Sequence, residues 1–221
     1  MEQKPRGTLS LQDFHTAELG ANMTGVVLNT EKGDIHCIFH HAEGNKSGVI
    51  WFCGALGGVD GPSFGIFADL GQELVGDGIS SLRLDYRHPG DLSKCALDVL
   101  VGVEFLRTQG IERIALAGHS FGGAVAIIAG TMSPDVTAVV GLSSQTYGAQ
   151  DVADLAPKPL LLIHGSRDRN LPVECSELIH QWADEPKELV VYQGSGHFLR
   201  ECHDELHDLL RDWLVNQLGQ R

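Results

Sequence analysis

Short apolar runs that alternate with helical segments constrain the fold of this 221-residue chain most strongly. The run GVIWFC (48–53) is continuously apolar, as expected of a strand that is buried on both faces. Five further runs have the composition of strands: ISSLRLD (79–85), RIALA (113–117), VTAVVGL (136–142), LLLI (160–163) and LVVY (189–192). Strands that alternate with helices predict an α/β fold, in which helices cover both faces of a mostly parallel sheet.

Near the N-terminus, two predicted strands follow each other without a helix between them. MTGVVLN (23–29) and DIHCIF (34–39) are β-rich and are separated by the turn sequence TEKG, which predicts an antiparallel pair of strands. Residues 1–20 are interpreted as an N-terminal extension and residues 21–221 as a single domain, since no repeat or linker divides the chain. Helices are predicted at about 62–75, from 92 to about 106, at 120–131, at 172–183 and at the C-terminus.

The charge and cysteine content narrow the classes of function. A net charge of −13 repels phosphate backbones and anionic lipids, which argues against binding to nucleic acid or to a membrane surface. The five cysteines are an odd number without CxxC spacing, as expected of free thiols in a reducing compartment. No signal peptide or membrane-spanning run is recognised, so a cytoplasmic location is expected.

The motif GHSFG (118–122) follows a predicted strand and precedes a predicted helix. Gly-x-Ser-x-Gly in this position is typical of a nucleophile elbow, a tight turn that raises the serine hydroxyl above the sheet. Ser120 is therefore the candidate nucleophile. The competing interpretation is that Ser120 merely caps the following helix, because serine is a favoured N-cap residue.

A nucleophilic serine needs a base, and the base needs a group that orients it. Asp168 follows the strand LLLI, and His197 follows the strand LVVY. Both would lie at the carboxyl edge of the sheet with Ser120, in the order Ser, acid, His that α/β-hydrolases use. Taken alone, Asp168 could be a solvated acid between Arg167 and Arg169, and His197 is one of eleven histidines.

An oxyanion hole would complete this site with two backbone N–H groups. One is expected from Phe121, and the other from Ala55, with Leu56 as the second choice, in the glycine-rich loop that follows GVIWFC. A strand, a glycine-rich turn and a helix also describe a dinucleotide site. That alternative fails because Leu56 stands where the second glycine of GxGxxG is required.

Metal binding is poorly supported. His40 and His41 are adjacent, and Cys202 and His203 are followed by His207, but neither group comes with a plausible set of further ligands. These residues are interpreted as surface or packing residues, and no metal site is predicted.

With these motifs in place, the chain resembles the α/β-hydrolase superfamily over nearly its whole length. The resemblance rests on GHSFGG, GALGG, LDYRHPGD, LLIHGSRDRNLP and GSGHF. It implies an eight-stranded, mostly parallel sheet whose first pair is antiparallel, an acyl-serine intermediate and no cofactor. Two features depart from many members: Cys53 replaces a histidine before Gly54, and residues 143–158 are too few for a helical cap domain. An open pocket is therefore expected.

The expected function is hydrolysis of small acyl esters by Ser120, His197 and Asp168, with a small-molecule ester as the partner and a monomer or homodimer as the assembly. Thioesterase, lactonase and small-peptide hydrolase activities remain open on the same triad. A lyase or peroxidase-like activity and a non-catalytic interaction protein on a hydrolase scaffold are the alternatives from other classes.

Overall fold

The computed structural model describes residues 5 and 7–219. Its strands are β1 Asp13–Gly20, β2 Met23–Thr30, β3 Gly33–His40, β4 Ser47–Phe52, β5 Ile79–Asp85, β6 Arg113–His119, β7 Val136–Leu142, β8 Leu160–Gly165 and β9 Lys187–Tyr192. Its α-helices are α1 Ile66–Glu73, α2 Leu92–Thr108, α3 Phe121–Met132, α4 Glu174–Trp182 and α5 His203–Leu218. Short 3₁₀ helices form at Val152–Leu155 and Arg200–Cys202.

All nine strands belong to one sheet, in the order β1-β2-β3-β5-β4-β6-β7-β8-β9. The pairings β1–β2, β2–β3 and β3–β5 are antiparallel, and the pairings from β5 through β4 to β9 are parallel. The predicted mostly parallel α/β sheet with an antiparallel start is thus confirmed. The carboxyl ends of β4, β6, β7, β8 and β9 lie along one edge, where the loops that follow them meet.

The number of strands differs from the prediction of eight. Residues 13–20, which we interpreted as part of an N-terminal extension, form β1 and pair with β2. Residues 1–4 and 6 of that extension lie outside the described residues. Strand β1 has few apolar residues, and all its side chains are exposed except that of the half-buried Phe14. The Phe14 ring contacts the Phe105 ring, with 5.2 Å between the centroids. Backbone pairing at the sheet edge therefore forms this strand without the apolar pattern on which its prediction would depend.

The predicted strands of the parallel region agree closely with the structure, and β5 and β7 have the predicted bounds. The helix predicted from residue 62 begins later, at Ile66. Ser63 and Phe64 have φ values of 48° and 62°, so these residues form a turn that a helix cannot include.

Helices cover both faces of the sheet. On one face α2 and α3 bury apolar side chains such as Val99, Val103 and Val125 against the strands. On the other face α1 and α5 do the same, and the buried side of α5 consists of Leu206, Leu210, Leu214 and Leu218. None of the described helices has the length and apolar composition needed to cross a bilayer.

A buried ion pair fixes the loop that follows β5. The guanidinium of Arg87 lies 2.6 Å from Oδ1 of Asp98, and the two side chains are 5% and 0% exposed. The backbone N–H of Arg87 also donates to Oδ2 at 2.9 Å. Asp98 on α2 therefore anchors the segment that carries Tyr86, whose hydroxyl approaches the carbonyl of Cys53 at 3.4 Å.

We expect Asp98→Ala to lower the free energy of unfolding by about 3 kcal/mol, because it leaves the buried Arg87 guanidinium without its counter-ion. Urea denaturation followed by circular dichroism measures this loss. The matched control is Glu112→Ala, which breaks the exposed pair with Lys46 and should cause no measurable change. Equal stability of the two variants would contradict the anchoring role of Asp98.

Candidate active site

Ser120 occupies a strained turn between β6 and α3. Its φ and ψ are 58° and −117°, values that a residue with a side chain rarely adopts. Two backbone hydrogen bonds stabilise the turn: the N–H of Ser120 donates to the carbonyl of Leu142 at 2.7 Å, and the N–H of Gly123 donates to the carbonyl of Ser120 at 3.1 Å. The Ser120 side chain makes no cap hydrogen bond to α3. The simple helix-cap interpretation therefore does not account for its hydroxyl.

The glycines on either side of Ser120 permit close backbone contacts. A Cβ atom at Gly118 would overlap the backbone of Gly122, and one at Gly122 would overlap the carbonyl of Cys53. The start of α3 is thereby pressed against both β6 and the loop that follows β4. The same loop passes beside the nucleophile, since a Cβ atom at Gly54 would lie 3.4 Å from Cβ of Ser120.

The structure brings Ser120, His197 and Asp168 into one hydrogen-bonded chain. Nε2 of His197 lies 3.0 Å from Oγ of Ser120, and Nδ1 lies 2.6 Å from Oδ2 of Asp168. A carboxylate only accepts, so Nδ1 carries the proton and Nε2 presents its lone pair to the serine hydroxyl. This is the tautomer that a general base needs.

The carboxyl group of Asp168 is buried, with no exposed side-chain surface. Its Oδ1 accepts from the backbone N–H groups of Asn170 at 2.8 Å and Leu171 at 2.9 Å. Burial by itself would raise the pKa of Asp168, but the hydrogen bonds from Leu171, His197 and Asn170 outweigh it and lower the pKa below its usual value. The carboxylate is therefore ionised at neutral pH.

A second histidine, His119, lies beneath the candidate base. Its ring is 4.8 Å from that of His197 between centroids, and its Nε2 donates to the carbonyl of His197 at 3.0 Å. Burial lowers the pKa of His119 to about 4, so it is neutral and adds no positive charge near His197 at neutral pH. His119 was not predicted as a site residue, although its place inside the elbow motif was a signal that it would lie at the site.

The loop that carries His197 is attached to the segment before α1. The N–H of Ser63 donates to the carbonyl of Phe198 at 2.9 Å, and the Ser63 hydroxyl donates to the carbonyl of Leu199 at 3.0 Å. From within the loop, Glu201 accepts from the N–H of Gly196 at 3.1 Å. These contacts, one set from the segment before α1 and one from Glu201, hold the loop that positions His197. Ser63 was not predicted either, because its partners are more than 130 residues away along the chain.

A cavity of about 370 Å³ opens over Ser120. Ser120, His197, Ala55 and Leu56 all line it, whereas Phe121, the first residue of α3, lines an adjacent cavity. The first N–H groups of a helix have no partner within the helix, so that of Phe121 is available to an oxyanion. Cys53 also lines the cavity, and burial raises the pKa of its thiol to about 11, which keeps it protonated.

The histidines that we weighed as metal ligands have other contacts. His40 is buried and accepts from Nε of Arg83 at 3.1 Å, while Nδ1 of His203 lies 3.0 Å from the Ser63 hydroxyl. His207 pairs with Glu73 at 3.0 Å. Within the described residues, no three side chains with metal-binding groups cluster in a way that could hold an ion.

We expect Gly122→Ala to reduce turnover of any substrate of this site by at least tenfold, because the added methyl group would displace the 53–57 loop from the nucleophile. The measurement is kcat and KM, with circular dichroism as a check on folding. Gly20→Ala is the matched control, since its Cβ atom would meet only the Met23 side chain at 3.6 Å. Unchanged turnover in folded Gly122→Ala would contradict the need for this close contact.

This chain is similar to known proteins in sequence and in fold. A family model described as Phospholipase/Carboxylesterase matches residues 93–212, more than half of the chain. The uncharacterized protein YfhR of Escherichia coli O157:H7 is 29% identical over 128 residues, which span 48% of this chain but only 45% of YfhR.

Solved structures share the fold. Est1E from Butyrivibrio proteoclasticus superposes with a TM-score of 0.77 at 17% identity, over 89% of this chain and 99% of that one. A dienelactone hydrolase from Anabaena variabilis has a TM-score of 0.76 at 18% identity, over 90% and 100% of the two chains. At such identities the likeness concerns the fold. The family match identifies this chain as a member of the phospholipase/carboxylesterase family of α/β-hydrolases.

Proposed function

We propose that this protein is a serine carboxylesterase in which Ser120 is the nucleophile, His197 the general base and Asp168 the residue that orients the base. The observation that carries the proposal is the continuous chain of hydrogen bonds from Asp168 through His197 to the Ser120 hydroxyl, with lengths of 2.6 and 3.0 Å. The family match supports a hydrolase, and the elbow supports a serine-based mechanism.

In the first half of the reaction, Oγ of Ser120 attacks the ester carbonyl while Nε2 of His197 takes the hydroxyl proton. The carbonyl π electrons move to oxygen, and the N–H groups of Phe121 and of Ala55 or Leu56 would stabilise that charge. The carbon–oxygen bond of the leaving alcohol then breaks, and the imidazolium returns its proton to the alcohol oxygen. The product of this half is an acyl-serine.

In the second half, water attacks the acyl-serine with His197 again as base, and the acid leaves as Ser120 regains its proton. Asp168 remains ionised throughout and stabilises the imidazolium that forms twice in the cycle. The neutral state of His119 matters here, because a second positive charge beneath His197 would oppose formation of the imidazolium.

Three exposed apolar side chains surround the mouth of the cavity. Leu56 and Phe198 line it and are 98% and 47% exposed, and Phe64, 72% exposed, lies nearby, since the guanidinium of Arg200 contacts both phenyl rings. Exposed apolar groups that border a cleft are typical of a binding surface. We infer that the acyl group of the substrate extends along this apolar rim, defined by Leu56, Phe64 and Phe198.

We expect Ser120→Ala and His197→Ala each to lower the rate of hydrolysis of p-nitrophenyl butyrate by at least 10³-fold. The first variant removes the proposed nucleophile, and the second removes the proposed general base. Covalent labelling by a fluorophosphonate, located by mass spectrometry, should occur on Ser120 of the wild-type protein and disappear in both variants. Ser166→Ala is the control, since this serine lies at the same sheet edge and does not line the cavity, and its hydroxyl accepts from the N–H of Gly194 at 2.9 Å. Labelling of another residue, or turnover that survives Ser120→Ala, would contradict the proposal.

We expect Phe198→Ala to reduce kcat/KM for hexanoate esters by roughly tenfold, as expected for lost apolar burial, and to change acetate esters by less than about twofold. The measurement is a series of p-nitrophenyl esters of increasing acyl length. Leu178→Ala, an exposed leucine on α4 outside the cavity, serves as the control. An equal loss for all acyl lengths would assign Phe198 to the positioning of His197 instead of the acyl site.

A further inference from the structure

A fully buried histidine, His164, lies behind the proposed triad near the end of β8. Its side chain has no exposed surface. Its Nε2 is 3.2 Å from Oδ2 of Asp168 and 3.0 Å from the carbonyl of Leu171, and its Nδ1 is 2.7 Å from Oγ of Ser176 on α4. The proposed mechanism does not use this histidine, yet it contacts the carboxylate oxygen that contacts His197.

The partners of His164 determine its tautomer. A backbone carbonyl and a carboxylate can only accept, so Nε2 carries a proton and points it between Leu171 and Asp168. Burial lowers the pKa of His164 and keeps the ring neutral, which leaves Nδ1 as an acceptor for the Ser176 hydroxyl proton. The hydroxyl of Ser176 therefore donates to His164, whose Nε2–H donates to the carbonyl of Leu171 and lies 3.2 Å from Oδ2 of Asp168.

Oδ2 of Asp168 thus faces the N–H groups of two histidines. His197 approaches it at 2.6 Å and His164 at 3.2 Å, while Oδ1 is occupied by the N–H groups of Asn170 and Leu171. Because two backbone groups hold Oδ1, the carboxylate should stay in place if the contact with His164 is removed. What would change is the negative charge that Oδ2 presents to His197, since a hydrogen-bond donor stabilises and disperses that charge.

We propose that His164 is a positioning residue that acts through Asp168: it shares Oδ2 with His197 and thereby sets how strongly the carboxylate stabilises the His197 imidazolium. Any effect of His164 on catalysis rests on the proposed function. The contact itself can be tested without turnover. Besides Asp168, the titratable groups around His164 are His197, on the loop after β9, and His119, on β6.

The test is the titration of His197 in the free protein, followed by NMR of its ring protons. In His164→Leu the carboxylate loses one donor, so the titration midpoint of His197 should rise by about half a pH unit. His164→Gln is the matched variant, because its amide can return an N–H donor near the position of Nε2. Its midpoint should lie closer to that of the wild-type protein.

A second variant covers the case in which His164→Leu does not fold. Ser176→Ala removes the hydroxyl that donates to Nδ1, which makes Nε2–H a weaker donor to Asp168. The midpoint of His197 should then rise by a smaller amount, about 0.2 of a pH unit. Circular dichroism and thermal unfolding establish that each variant is folded before the titration is interpreted.

Kinetics give an independent measurement of the same effect. If His197 keeps its proton up to a higher pH, the acidic limb of the pH profile of kcat/KM moves to higher pH. His164→Leu should therefore lose activity mainly below the titration midpoint of His197. Its KM for p-nitrophenyl butyrate should change by less than about twofold, since His164 does not line the cavity. In an Asp168→Asn background, His164→Leu should shift nothing further, because its effect passes through the carboxylate.

Each outcome decides the proposal. An unchanged or lowered midpoint of His197 in a folded His164→Leu or Ser176→Ala variant would overturn it, as would a full effect of His164→Leu in the Asp168→Asn background. If the wild-type protein neither hydrolyses esters nor takes up the fluorophosphonate, the proposed esterase function fails. A raised midpoint in that case would still support the charge-sharing role of His164.

Discussion

The close backbone contact between β6, α3 and the loop after β4 is the constraint on which the site depends. Ser120 has a φ of 58° at the point where the backbones of β6, α3 and this loop approach closely at Gly118 and Gly122. A helix that begins directly against a strand needs Gly118 and Gly122, and the hydrogen bond from Ser120 to Leu142 closes the turn. The backbone strain of this turn is confined to Ser120. The packing that stabilises this turn involves the central strands β4 and β6, which are almost entirely buried.

The electrostatics of the site follow from this buried setting. One ionised carboxylate, Asp168, lies among three histidines, and burial keeps both His119 and His164 neutral. Of these three histidines, His197 is the one that contacts both the carboxylate and the Ser120 hydroxyl. The arrangement separates the roles of chemically similar side chains: His119 contacts the backbone of His197, and His164 contacts the acid. A protein with a net charge of −13 can in this way place a stabilised imidazolium at one point without a cluster of positive charge.

Sequence patterns predicted the parts of the fold whose signals are local. Strands β5 and β7 have the predicted bounds because their apolar runs are bounded by turn residues, and the order of Ser120, Asp168 and His197 followed from the strands that precede them. Strand β1 was missed because backbone pairing forms it without an apolar pattern. The contacts of Ser63 and His164 with the site could not be predicted either, since they depend on how separate loops meet in space.

The buried half and the exposed half of the site differ in how many neighbouring groups a substitution would disturb. The half that holds Ser120, His197 and Asp168 is mostly buried, and its polar atoms contact backbone groups or one another, so a substitution there affects several neighbours at once. The rim formed by Leu56, Phe64 and Phe198 is apolar, and its side chains are 98%, 72% and 47% exposed. Binding preference could therefore change through the rim while the reacting groups keep their geometry. Chains that are 17% and 18% identical to this one retain its fold, as expected where buried packing, and not the exposed rim, determines the fold.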